Sequence, residues 1–250
     1  DPGGSFLRAK GGSGASGDPY MIADVYGLQG IGSSTALRGN HYKLANNIDA
    51  GGTVSWNNAQ GFTPIGGNAA SAFTGGFDGG GYNINGLTVN KSGGGYAGLF
   101  GYASGATIAN VGLTGGGITA TLYVGGLVGY MDGGSITNSY STGNVTAINW
   151  YMDAYVGGLA GYMKGGNITN SYATGSVTNT YQNGAYANNS YAGGLVGYLE
   201  GNITGSYATG SVTATRDKVG GLVGAINGTI TDSYATGSVT GVNKVGGLAG

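Results

Sequence analysis

The sequence predicts an all-β fold, a single parallel β-helix (β-solenoid) with three short strands per turn of about 27 residues. Three observations predict it: a glycine-rich but hydrophobic composition, a spaced repeat of apolar residues, and strict local alternation. Hydrophobic residues make up 40% of the 250-residue chain, which argues against a disordered polymer. With 59 glycines, long helices are disfavoured, because glycine costs about 1 kcal/mol per residue relative to alanine in a helix. The apolar residues are mainly Val, Ile, Leu and Tyr, which suit pleated, half-buried surfaces. Three prolines and the lack of a Gly-X-Y period exclude collagen.

The repeat sets the geometry. Leu of a Gly-Leu-x-Gly element recurs at Leu99, Leu127, Leu159, Leu195, Leu222 and Leu248, separated by 28, 32, 36, 27 and 26 residues. Ile108, Ile136, Ile168, Ile203 and Ile230 follow eight or nine residues later, eight in the last two repeats. Nine or ten residues further on come Ile118, Val145, Val177, Val212 and Val239. Three edges of about nine residues each accommodate a short strand and a corner. Stacking such turns pairs equivalent strands at about 4.8 Å and converts the Leu, Ile and Val columns into internal ladders. Eight or nine turns of this kind would span about 40 Å.

Alternation orients the rest. In 135–139, Ile136 and Asn138 fall on one face and Thr137 and Ser139 on the other. With Ile inward, Asn138 and Asn170 are expected as an internal amide ladder, interrupted by Gly205 and Asp232. Thr137, Thr169, Thr204 and Thr231, with Ser139, Ser171, Ser206 and Ser233, are then expected to form an outward hydroxyl grid. Tyr140, Tyr172, Tyr207 and Tyr234 make another column, inward or packed at a corner. Residues 1–19 read as a flexible Gly/Ser-rich lead-in, 20–96 as irregular β-helix turns, and 97–250 as the regular repeats. The last repeat stops at Gly250 without a polar cap, so the chain is expected to continue.

Several function classes are excluded or disfavoured. A net charge of −1 with no basic run disfavours nucleic-acid binding. The chain has no cysteine for disulfides or thiolate sites. No apolar run approaches the roughly 20 residues needed to span a bilayer. Asp132, Asp153, Glu200, Asp217 and Asp232 lie at different points of the turn and supply no paired carboxylates for polysaccharide cleavage. His41 is the single histidine. Gly115-Gly116-Gly117 is not followed by the residues of a phosphate loop. No catalytic residue, metal site or cofactor is expected.

The stretches Ser-Tyr-Ala-Thr-Gly-Ser-Val-Thr (206–213) and Val-Gly-Gly-Leu-Val-Gly (219–224) resemble the GLUG repeats of filamentous-haemagglutinin-like adhesins. The region 42–86, with Asn47-Ile48-Asp49-Ala50 and Phe77-Asp78-Gly79, is similar to what precedes such repeats. The resemblance covers roughly 20–250. It implies a right-handed β-helix, secretion across a bacterial outer membrane and adhesion. The N-terminal secretion domain of that family is not among these residues, so the export route follows from the resemblance alone. Such repeats also occur in other large exported proteins, including surface proteases.

The expected function is the shaft or adhesive segment of a secreted or surface-anchored bacterial adhesin, contacting a glycan or protein on a host or neighbouring cell. Alternatives are a self-associating extracellular filament, since strand edges at the two ends can template pairing, or an ice-binding solenoid using the outward Thr/Ser grid. Two insertions mark the candidate contact site. Ten residues separate Val145 from Val156 and fourteen separate Val177 from Ala192, against five or six elsewhere. Both fall at one corner of consecutive turns, where solenoid insertions often form a binding face. They carry Trp150, Tyr151, Tyr155, Tyr181, Tyr186 and Tyr191, aromatic residues suited to carbohydrate or protein contact or to covering the solenoid flank.

Overall fold

The computed structural model describes residues 5–91, 93, 95–149, 152–182 and 189–250. Among them, four all-parallel sheets of 11, 7, 6 and 6 strands wind into a right-handed β-solenoid of about six turns. The expected ladders are present in register. Ile108, Ile136, Ile168, Ile203 and Ile230 are successive partners, as are Ile118, Val145, Val177, Val212 and Val239. Leu127, Leu159, Leu195 and Leu222 are fully buried, and each leucine N–H donates to the next leucine carbonyl at 2.8–3.0 Å. Ile136, Ile168, Ile203, Val145, Val177 and Val212 are buried; Ile230 and Val239, in the last turn, are half-buried.

Each turn is divided more finely than three strands. The turn beginning at Tyr123 carries Tyr123–Gly125, Val128–Asp132, Ser135–Thr137, Tyr140–Ser141 and Asn144–Asn149. Turn residues cut the nine-residue edges. The number of turns falls short of eight or nine because the N-terminal part spends chain on other structure. Helix Val25–Ile31, short helical turns between 35 and 71, and the connecting loops replace whole edges. The helix buries Leu28 and Ile31 in the core, and Asp24 caps it by accepting from Gly27 N–H at 2.9 Å. Residues read as a free lead-in pack against this region instead: Lys10 N–H donates to Met21 O at 2.8 Å and Arg8 pairs with Asp24 at 2.9 Å.

One corner overturns the expected side-chain directions. Asn110, Asn138, Asn170, Gly205 and Asp232 all take a left-handed backbone, with φ between 48° and 60°. Asn, Asp and Gly tolerate this region where other residues are strained. The reversal breaks the two-residue alternation, so Asn138 and Asn170 are exposed while Ser139, Ser171 and Ser206 are fully buried. The amide ladder therefore lies outside: Asn138 Nδ2 donates to Asn110 Oδ1 at 3.2 Å, and Asn110 Nδ2 to Asp78 Oδ1 at 3.0 Å.

The hydroxyl grid is likewise halved, leaving a single outward column of Thr137, Thr169, Thr204 and Thr231. Its serine partners do internal bonding instead. Ser171 Oγ accepts from Ser139 N–H at 3.1 Å and donates to Thr169 O at 2.8 Å. Ser206 and Ser233 repeat the pattern one and two turns on. Each buried hydroxyl thus satisfies a neighbouring turn's backbone where the strand ladder is interrupted.

The column Tyr140, Tyr172, Tyr207 and Tyr234 stacks on the outside of this corner, with ring centroids 4.7–5.1 Å apart and planes within 4°. Replacing Asn170 at the left-handed corner separates backbone from side-chain effects. Asn170→Val is expected to be less stable than Asn170→Gly by about 1–2 kcal/mol in urea unfolding. Equal stability of the two variants would contradict the corner assignment.

Candidate functional site

The most regular surface feature arises from the segment Tyr-Val-Gly-Gly-Leu-Val-Gly-Tyr at 123–130 and its counterparts at 155–162 and 191–198. Leu127 and Val128 point into the core, while the flanking tyrosines point out. Glycine brings the two flanks together. A Cβ on Gly129 would lie 2.8 Å from Tyr123 O and 2.7 Å from Ala97 N, and one on Gly125 would lie 2.2 Å from Val128 O. With the backbones this close, Tyr123 and Tyr130 meet edge to face at 5.2 Å and 83°.

Parallel register multiplies this pair. Tyr96, Tyr123, Tyr155 and Tyr191 stack at 4.7–5.0 Å with interplanar angles of 2–14°. Tyr102, Tyr130, Tyr162 and Tyr198 stack at 4.8–5.0 Å with angles of 10–22°. Edge-to-face contacts of 5.1–5.2 Å join the columns at every level. The result is a herringbone of eight tyrosines, each such contact worth about 0.5–1.5 kcal/mol beyond area burial. Tyr102 and Tyr191 are 8% exposed and the other six are half-buried.

The column ends differ. In the turn after Tyr191, Lys218 occupies the equivalent position and places Nζ 4.3 Å from the ring centroid, while also donating to the hydroxyl at 2.8 Å. After Tyr198 the position is Ala225.

Because interior rings are covered on both faces and pressed edge-on by the other column, the phenol edges and hydroxyls are what remain for solvent. Two hydroxyls meet carboxylates: Tyr162 donates to Glu200 Oε1 at 2.6 Å and Tyr102 to Asp132 Oδ2 at 3.5 Å. Burial, joined by neighbouring phenols and carboxylates, raises the pKa values of Tyr102, Tyr123, Tyr130, Tyr155 and Tyr162 above the ordinary 10.0. For Tyr162 the Glu200 hydrogen bond follows burial as a cause.

The residues singled out from the insertions divide into three groups. Tyr155 and Tyr191 are register partners inside the herringbone. Tyr181 ends strand Val177–Tyr181; its hydroxyl donates to the carbonyl of Met152 and to that of Asn189 at 3.3 Å, and Arg216 lies 5.1 Å from its ring. Burial, then the charge of Asp153, pushes its pKa up to about 12. Trp150, Tyr151 and Tyr186 lie outside the described residues. The described parts of the insertions do run side by side, pairing as far as Asn149 with Tyr181. Tyr96, Tyr102, Tyr123, Tyr130, Tyr162 and Tyr198 escaped the sequence reading; a tyrosine on each flank of successive Gly-Leu-x-Gly elements was the signal.

A groove of about 540 Å³ elsewhere, lined by His41, Lys43, Asp78 and Thr107 among others, holds a Lys43–Asp78 ion pair at 3.3 Å and, among the described residues, no second carboxylate.

Comparison with known proteins follows the same repeat. Residues 120–146, 153–178, 188–213 and 218–240, together under half of the chain, match the family model described as the GLUG motif. The first three matches each contain one tyrosine pair of the herringbone. The chain is similar to halomucin of Haloquadratum walsbyi, 38% identical over 152 residues, covering 56% of this chain and 2% of that protein. A candidate Gly-rich membrane protein of Evansella cellulosilytica is 36% identical over 123 residues, covering 48% of this chain and 14% of that protein. The chain thus spans a small fraction of the length of these curated relatives. A crystal structure from Bacteroides ovatus, described as a candidate immunoglobulin A1 protease, superposes with a TM-score of 0.77 at 25% identity, over 99% of this chain and 74% of that one.

The herringbone makes stability depend on pH in one direction. Phenols whose folded values lie above their unfolded value of 10.0 stabilise the fold fully below that pH. That contribution is lost as pH rises through the folded values. Ultraviolet titration should show Tyr102, Tyr123, Tyr130, Tyr155 and Tyr162 ionising above pH 10, together with unfolding. A single step near pH 10, with the circular-dichroism spectrum intact, would contradict the burial of the array.

Proposed function

We propose that the protein is a segment of a surface-associated repeat protein, a stiff shaft that presents an adhesive face. The observation that carries this reading is the parallel, in-register pairing of the four sheets from turn to turn, shifted between Lys164 and Asn167. Each turn binds the next through main-chain hydrogen bonds and stacked columns of like side chains, so the unit can be repeated to any length without a new core. Exposed main-chain ladders remain only at the ends of such a stack. Low charge, at 8% of residues, suits a spacer that does not depend on salt to stay extended. The GLUG repeats and the names of the two curated relatives, a halomucin and a Gly-rich membrane protein, support a surface location. Among the described residues no helix is long and apolar enough to cross a membrane.

Adhesion is assigned to the flank that carries the tyrosine hydroxyls and the described ends of the two insertions. Rigid aromatic side chains supply contact area at low entropic cost, and the hydroxyl edges supply hydrogen bonds to a glycan or protein on a neighbouring surface. Two measurements test the reading. Antibodies raised against the folded chain should label intact source cells, and beads coated with it should adhere to cell layers more than beads coated with heat-unfolded protein. Labelling only after permeabilisation would overturn the surface assignment; equal retention of the two bead types would overturn adhesion.

A further inference from the structure

One phenol of the herringbone is chemically distinct. Tyr162 is stacked between Tyr130 at 4.8 Å and Tyr198 at 5.0 Å, with Tyr155 edge-on at 5.1 Å. Its hydroxyl donates to Glu200 Oε1 at 2.6 Å, inside the 2.5–2.7 Å range of charge-assisted O–H···O⁻ bonds. The bond from Tyr102 to Asp132 is much longer, at 3.5 Å. Among the described residues, the other six rings make no hydrogen bond to a carboxylate. Tyr140, Tyr172, Tyr207 and Tyr234 form a second stack just as close, whose one recorded hydroxyl bond runs from Tyr140 to the Asn83 amide oxygen at 2.7 Å.

This difference matters for one-electron chemistry. Removing an electron from a phenol makes its hydroxyl strongly acidic, so oxidation is easiest where a base already holds the proton. Rings in mutual contact also let the vacancy left by that electron pass from one to the next. We propose that the tyrosine herringbone is a one-electron oxidation site, in which Tyr162 is the resting place of oxidising equivalents that enter anywhere in the array and Glu200 accepts its proton. The oxidant is of the peroxide-driven haem-peroxidase class. It takes one electron from the array, the O–H bond of Tyr162 breaks, the proton moves to Glu200 Oε1 and a neutral phenoxyl radical remains. One hydrogen peroxide takes up two electrons and two protons, giving two waters, and so balances two such events. The inference concerns the chemistry of the face and does not depend on adhesion.

The geometry and simple accessibility predict different targets, which makes the test sharp. Tyr26 and Tyr234 are 54% and 52% exposed, whereas Tyr162 is half-buried. The folded chain is treated with a haem peroxidase and limiting hydrogen peroxide in the presence of a nitroso spin trap, and adducts are located by peptide mass spectrometry. The expected result is adduct on Tyr162 several-fold above any member of the Tyr140 stack and above Tyr26 and Tyr234. Glu200→Gln, with its fold checked by circular dichroism, should lose that preference and spread adducts over the array. Tyr162→Phe keeps the ring but removes the hydroxyl, and should move adducts to Tyr130 and Tyr198. Adducts ranked by exposure, or an unchanged Tyr162 share in Glu200→Gln, would overturn the proposal.

Discussion

Parallel in-register stacking is the constraint on which everything else in this protein depends. Strands of successive turns lie about 4.8 Å apart, so every side chain sits directly above its counterpart. A residue type that tolerates its own copy at that distance can be repeated, and one that does not must be avoided. Leu, Ile and Val tolerate it inside, where their ladders form one continuous apolar core. Tyrosine tolerates it outside, because tilted aromatic rings stack at nearly the same spacing. Charged residues would repel their copies, and Lys164 instead lies in register between Asp132 and Glu200.

Corners obey the same rule with different chemistry. Where the chain turns left-handed, the column runs Asn, Asn, Asn, Gly, Asp, a set that looks irregular as a side-chain ladder and uniform as a backbone requirement. From Asn138 onward a serine follows, is turned inward and carries a hydrogen bond between turns. At the glycine corner the same close approach of main chains that seals the solenoid forces two tyrosine columns into contact. The GLUG repeat is therefore one unit of structure, and the aromatic face is a consequence of the glycines that close the turn.

The spacing of Leu127, Ile136 and Val145 and their repeats made the solenoid and its core legible, because internal ladders depend only on which residues recur. The directions of Asn138 and Ser139 were not legible from strand alternation, since one left-handed residue resets the two-residue period. The presence of Gly205 and Asp232 in the Asn column pointed to that reset. The herringbone was missed because its partners sit six or seven residues apart on either side of a corner, where neither strand alternation nor the ladder between turns relates them. The number of turns was overestimated because helix Val25–Ile31 and its neighbouring loops carry no signal of spacing. Of the aromatic residues first singled out, Tyr155 and Tyr191 belong to a face organised by the repeat and not to the insertions that drew attention to them.

Register is the claim that most directly supports the ladders, the serine bonds and the aromatic face together, and the lack of native cysteine makes it accessible to cross-linking. Thr178 and Thr213 are outward-facing register partners, and Cα atoms at strand spacing lie within disulfide range. Ser211 is two residues away along the same strand edge, beyond that range. The double variant Thr178→Cys/Thr213→Cys should close an intramolecular disulfide on mild oxidation, and Thr178→Cys/Ser211→Cys should stay reduced under the same conditions. Efficient closure of the second pair in place of the first would contradict the in-register solenoid.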